Sequence, residues 1–365
     1  MYIGLVIYGA LETVTGGYLY DRRLVEHFEA QGSEVEVLSM RRRRYLRNLT
    51  DNFSLLLGEW LRAVEFDVLL QDELNHPSLF RLNERLRGKI EYPIVSIVHH
   101  LRSSEAHPPW QLRLYRAIER RYLRSVDAFI FNSDATREAV ERLAGERKPS
   151  VVAYPAGDRL GAGLTPEAIA SRAEEGGPLR VVFLGSVIER KGLHRLLDAL
   201  ARLGEMDWRL TVAGALDAEP GYARRIQRQV EQAGLGGRVT LAGQLEDGEL
   251  ADLLSRSDVL AVPSTHEGFG IAYLEGMAFG LPAIASAGGG AAEIVTHGEN
   301  GYLVQPGDTD ALAAHLRELA ADRGRLRAMS LAARQRYEQH PTWAETGERV
   351  YRFLTDLVGE FRSSS

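Results

Sequence analysis

The chain has 365 residues, 45% hydrophobic and 26% charged, with a formal net charge of −6. That length predicts two domains rather than one small core, and so mild a charge gives no electrostatic reason to expect nucleic acid as a partner. The absence of cysteine excludes disulfides, thiolate zinc sites and thiol nucleophiles, and no run of about twenty apolar residues is available to span a membrane.

Taken in chain order, short apolar runs alternate with amphipathic stretches. Residues 1–8 lack a basic leading segment and run into Gly9, so they read as a strand and not as a signal peptide. Runs at 2–8, 34–39, 68–71, 94–99, 128–132 and 150–154 are almost continuously apolar, as strands buried on both faces of a parallel sheet must be. Helical periodicity fills the gaps, for example at 18–31 and 110–124. Between 155 and 178 the pattern weakens into Gly, Ala and Pro, which places a linker there. Alternation restarts with strands at 179–184, 208–213, 238–242, 259–263 and 283–285, and helices such as 193–203 and 222–233. Beyond Pro306 the chain is mostly helical, with a break at Pro341. These repeats predict an α/β protein with two doubly wound, Rossmann-like parallel-sheet domains, 1–160 and 161–343, facing a central cleft. A last helix at about 344–362 is expected to return to the first domain.

Charge is distributed unevenly. Residues 1–160 carry 23 Arg and Lys against 22 Asp and Glu, and the remainder carries 21 against 28. Lys89, Lys148 and Lys191 are the only lysines, which makes Lys191 conspicuous. Arg41 to Arg44 and Arg47 precede an apolar run at 53–57, and Arg113, Arg116, Arg120, Arg121 and Arg124 are interspersed with Leu and Tyr. Such faces suit an anionic membrane surface or an acidic acceptor as well as a plain solvated helix.

Five segments carry candidate chemistry. Gly16-Gly17 lies in the turn Thr13–Gly17 between the first strand and its helix, where paired glycines let backbone amides approach an anion or simply make a tight turn. Gly185 opens a strand-to-helix turn ending in Arg190 and Lys191, a planar fork and a point charge suited to phosphate, or in isolation a solvated basic turn. Glu267 and Glu275 stand eight positions apart around Gly268-Phe269-Gly270-Ile271, which puts one acid before a helix and the other two turns along it. Carboxylates flanking a helix N-terminus repel a simple anion but suit a nucleotide sugar, whose hydroxyls they accept while amides take the diphosphate. Gly288-Gly289-Gly290 with Glu293 is a further strand-end glycine turn. His99, beside His100 at a strand tip, could donate to a sugar hydroxyl. His107 is near in sequence, but no carboxylate–histidine cluster shows metal-ligand spacing. No metal is expected.

From Val181 to Asp308 above all, the chain resembles the family 4 retaining glycosyltransferases of GT-B fold. The likeness rests on the E-x-F-G-x-x-x-x-E form of Glu267 to Glu275, the Arg190–Lys191 pair, Asn132-Ser133, Gly243 after an apolar strand, and Gly298–Val304. It implies transfer of a hexose from a UDP- or GDP-linked sugar to a hydroxyl acceptor, with no cofactor beyond the nucleotide-sugar donor. Glu267 would hold the transferred sugar, Glu275 the ribose, Arg190 and Lys191 the diphosphate, with Gly16 and Gly17 facing it. His99 would approach the anomeric center, and the base would lie near Gly243-Gln244-Leu245. The acceptor is left open. A cytoplasmic protein, with peripheral contact at the inner membrane face, is expected. A nucleotide-sugar epimerase of the same fold, or a non-catalytic nucleotide-sugar-binding protein, is the alternative.

Overall fold

The computed structural model describes residues 1–13 and 15–364, without the side chain of Ser364; Val14, within the expected Thr13–Gly17 turn, and Ser365 lie outside the described residues. The chain divides into two compact units, Met1–Pro155 with Trp343–Ser365, and Ala156–Thr342.

In the first unit β1 (Tyr2–Tyr8), β2 (Glu34–Met40), β3 (Val68–Asp72), β4 (Ile94–Val98), β5 (Ala128–Phe131) and β6 (Ser150–Val152) form a parallel sheet in the order β2-β1-β3-β4-β5-β6. Every residue of β3, β4 and β5 is buried, because helices cover both faces of a sheet joined by crossover connections. Leu70 pairs with Val95 and Ile97 with Ile130 in this layer. Truncating one such buried side chain to alanine costs about 2–5 kcal/mol. Strand order reverses between β1 and β3, so the carboxyl ends of these strands define the position where open α/β sheets bind ligands. Helix Trp343–Ser364 belongs to this unit. Thr346 donates to the Tyr154 carbonyl at 2.6 Å, and the Trp343 ring meets Tyr20 edge-on at 5.9 Å.

The second unit repeats the plan. Strands β7 (Leu179–Leu184), β8 (Trp208–Ala213), β9 (Val239–Gly243), β10 (Val259–Val262), β11 (Ala283–Ser286) and β12 (Gly301–Val304) are parallel, in the order β12-β11-β10-β7-β8-β9. Its reversal falls between β7 and β10, where Val259 pairs with Val181 and Leu260 with Val182.

Two expectations change. The stretch read as a linker contains a helix, Pro166–Glu174, capped by Thr165 and carrying buried Ile169, Arg172 and Ala173. Arg172 donates to the carbonyls of Ser255, Phe279 and Gly280, which fastens that helix to the second unit; its small residues hid the periodicity. The division accordingly falls after Pro155 and not at 160. The other change is β12, short and beginning with glycine, which sequence periodicity did not reveal as a strand.

Candidate active site

The second unit concentrates the predicted residues at its reversal point. After β7, Gly185 turns the chain toward the short 3-10 turn Glu189–Lys191 and the helix Leu193–Ala201. After β10 the chain enters the loop holding Glu267. The two loops are tied by backbone, with the Thr265 amide donating to the Arg190 carbonyl at 2.8 Å. Their side chains then converge. Lys191 Nζ donates to Glu267 Oε1 at 2.6 Å, Ser264 Oγ donates to the same oxygen at 2.6 Å, and Arg190 Nη1 lies 3.6 Å from it. Arg190 also donates to the His266 carbonyl at 2.5 Å.

Glu267 is buried. Burial alone would raise its pKa, but the charges of Lys191 and Arg190, with the hydrogen bonds from Lys191 and Ser264, outweigh it and hold the carboxyl down at about 2. Glu267 is therefore an anion that accepts hydrogen bonds and is a poor proton acceptor. With two cations beside one carboxylate, the cluster keeps a net positive charge.

The glycine triplet fixes this acid. The Glu267 amide donates to the Gly288 carbonyl at 3.0 Å, and the Gly290 amide donates to the Glu267 carbonyl at 2.9 Å. Gly289, at φ +101°, has the Glu267 carbonyl oxygen where a Cβ would stand. The triplet thus clasps the backbone of the acid, a positioning role its sequence could not disclose.

Gly268 lies next in this loop, Phe269 is buried with its ring 5.7 Å from that of His340, and Gly270 precedes the helix Ile271–Ala278. That helix is buried from Tyr273 to Ala278, so Glu275 needs a charged partner. Arg159 supplies it: Nε and Nη2 each lie 2.8 Å from Glu275 Oε1. Burial raises the Glu275 pKa, and Arg159 opposes the rise. Arg159 also bonds Asp247, four residues beyond Gly243. Gly243 ends β9, and Gln244 and Leu245 lead into helix Asp247–Ser255. Arg159 thereby joins the segment expected at the ribose to the segment expected at the base. Sequence reading missed it, since it lies 116 residues from Glu275 in the supposed linker.

In the first unit Gly16 and Gly17 begin helix Gly16–Ala30, capped by Thr15. Gly17 is packed against His99, whose Cδ2 would be 3.1 Å from a Cβ there. His99 Nε2 lies 3.1 Å from Asp21 Oδ1. Asn132 donates to the His99 carbonyl at 2.8 Å, and Ser133 caps helix Asp134–Ala144, so the Asn-Ser motif supports the histidine. His100 and His107 instead turn to Glu105, at 3.1 and 3.5 Å. Among the described residues two carboxylate–histidine groups assemble: Asp21, Asp72 and His99, and Glu73, His76 and Glu119.

Each unit therefore has a doubly wound parallel sheet with candidate polar groups at its reversal point, an architecture of the nucleotide-sugar-binding GT-B class. The Glycosyl transferases group 1 model matches residues 165–336 and the Glycosyl transferase 4-like domain model matches 12–157. The chain belongs to this family of GT-B glycosyltransferases. Glycogen synthase from Mycobacterium tuberculosis is 29% identical over 261 residues, covering 69% of this chain and 60% of its own length. Sucrose-phosphate synthase from Thermosynechococcus elongatus superposes with a TM-score of 0.84 at 22% identity, over 99% of this chain and 100% of that one. Anabaena HepE, solved in complex with UDP-glucose, superposes at 0.76 and 22% identity, over 98% and 100%.

Proposed function

We propose that the protein is a retaining hexosyltransferase that uses a UDP- or GDP-linked sugar and a hydroxyl acceptor. The observation that carries this reading is the Arg190–Lys191–Glu267 cluster at the strand reversal of the second unit. Its two cations suit a diphosphate, and its ionised acid suits sugar hydroxyls. Glu275 takes the ribose hydroxyls, while Gly243, Gln244 and Leu245 contact the base. Gly16 and Gly17 offer amides to the donor, and His99 donates to it. A GDP-mannose-dependent mannosyltransferase among the relatives, and a structural neighbour solved with UDP-glucose, support this donor class.

In the reaction the bond from the anomeric carbon to the diphosphate oxygen breaks, and the acceptor oxygen bonds to that carbon on the same face. The acceptor's proton passes to the departing phosphate. Negative charge grows on the diphosphate, where Arg190 and Lys191 stabilise it; preorganised charge of this kind is commonly the largest catalytic contribution. Glu267 is too weak a base to deprotonate the acceptor, so no protein nucleophile or base is assigned. No metal is assigned a role.

For the acceptor, Leu46, Phe53, Leu55, Leu56 and Trp110 are exposed large apolar residues, with Arg41 to Arg44 and Arg47 close to four of them in sequence. This combination supports a lipid-linked acceptor and peripheral contact with an anionic membrane, each basic residue near the surface adding about 1 kcal/mol. Sedimentation with liposomes should depend on anionic lipid and on salt; indifference to both contradicts the membrane reading. For the donor, a thermal-shift screen of UDP- and GDP-sugars should raise the unfolding temperature with one base, because a ligand of the folded state stabilises it. No shift with either contradicts the donor assignment.

A further inference from the structure

We propose that Asp21 is a positioning residue for His99: it accepts the Nε2–H, fixes the ring and leaves an Nδ1–H to donate to an oxygen of the sugar or diphosphate. The contact with the donor rests on the function proposed above; the pairing and the protonation state do not.

Three chain segments build the arrangement. Asp21 lies one turn beyond Gly17 on helix Gly16–Ala30, Asp72 ends β3, and His99 follows β4 directly. One oxygen of each acid and one ring nitrogen of His99 lie within 4.8 Å of one another. The ring is confined on several sides. Gly17 lies against Cδ2, Tyr20 meets the ring edge-on at 5.3 Å, and Asn132 and Thr136 hold the His99 carbonyl at 2.8 and 3.4 Å. Those last two groups are uncharged, so the charges facing the ring come from Asp21, Asp72 and Glu73.

All three acids are buried; Asp21 Oδ2 and Asp72 Oδ2 have no hydrogen-bond partner, while Glu73 Oε1 lies 3.0 Å from His76 Nδ1. A buried carboxylate requires a counter-charge; the imidazolium of His99 is placed to provide one to Asp21, while burial pushes the carboxyls of Asp72 and Glu73 up to about 7, so both are mainly ionised at pH 8. Burial drives the ring toward its neutral form. The charge and hydrogen bond of Asp21, then the charges of Asp72 and Glu73, overcome this and raise the His99 pKa to about 9. An imidazolium has no lone pair to accept a proton. His99 therefore acts as a charged donor and not as a general base, which agrees with the leaving phosphate taking the acceptor's proton.

The test is nitrogen NMR of the free protein labelled at histidine, with H99Q used to assign the His99 signals. At pH 8 both ring nitrogens of His99 should be protonated. In D21N the titration midpoint should fall by at least about one pH unit, a tenfold change in proton affinity, and D21E should recover part of the shift. A neutral His99 at pH 8 in the unaltered protein overturns the proposal, and that measurement needs no variant at position 21. An unchanged midpoint in folded D21N overturns it too. The function is read separately: H99Q should lower turnover at least tenfold, and unchanged turnover overturns the contact with the donor while leaving the Asp21 pairing supported.

Discussion

Replacing Lys191 by alanine separates a catalytic role from a structural one. The ammonium lies 2.6 Å from Glu267 Oε1, and the two side chains keep 17% and 8% of their exposure. Breaking a fully buried pair costs about 3–5 kcal/mol. Here Arg190 remains at 3.6 Å and Ser264 at 2.6 Å, and some solvent reaches the lysine, so roughly 1–2 kcal/mol of stability should be lost. The loss of turnover should be larger, because in the proposed reaction Lys191 also faces charge that develops on the departing diphosphate. By analogy with removal of one oxyanion donor, kcat should fall about 100- to 1,000-fold, equivalent to roughly 2.7–4 kcal/mol. The assay is release of nucleoside diphosphate at saturating donor and acceptor, beside a denaturant titration of the same samples. K191R should recover part of the rate. Turnover within a few-fold of the unaltered enzyme refutes the reasoning and removes Lys191 from the site. A stability loss as large as the kinetic loss would assign it a structural role instead.

Glu275→Ala should raise the donor KM about tenfold or more while leaving kcat at saturating donor nearly unchanged, since the ribose it is proposed to hold takes no part in bond breaking. Arg159→Ala leaves Glu275 buried without its cation; its pKa should rise further, donor affinity should fall, and thermal unfolding should move down by about 1–3 kcal/mol in stability. Gly289→Ala meets both a positive φ and the Glu267 carbonyl, so stability should fall by more than about 1 kcal/mol, with activity lost alongside it; a fully active, stable variant contradicts the clasp. The raised pKa of His99 stabilises the fold wherever the ring is protonated in both states, below about pH 6.5. That contribution should be lost as pH rises toward about 9, and D21N should reduce the decline in a pH series of denaturant midpoints.

Much of the architecture was legible because a strand buried on both faces must be a continuous apolar run, and residues 2–8 and 179–184 are such runs. Boundaries shifted where a side chain past the strand end stays apolar or small, as at 152–154. The Gly185–Lys191 and Glu267–Glu275 segments were legible as local motifs, since a strand, a turn and a helix start within a few residues define the chemistry offered there. What links them was not. Lys191 meets Glu267 across 76 residues, Arg159 meets Glu275 across 116, and Asp21 meets His99 across 78; such pairings follow from sheet order, which a single sequence does not print. Arg159 was further concealed because Gly, Ala and Pro around it resemble a linker, while the fold uses them for a turn and a buried helix.

The central claim is that Arg190, Lys191 and Glu267 form a donor site that transfers sugar. Its most direct test is incubation with UDP- and GDP-hexoses and an acceptor extract, followed by mass spectrometry and proton NMR of the products. Free nucleoside diphosphate should form in equal amount to a new glycoside whose anomeric configuration matches the donor. An altered sugar without a glycoside, or donor binding without any turnover, would contradict it.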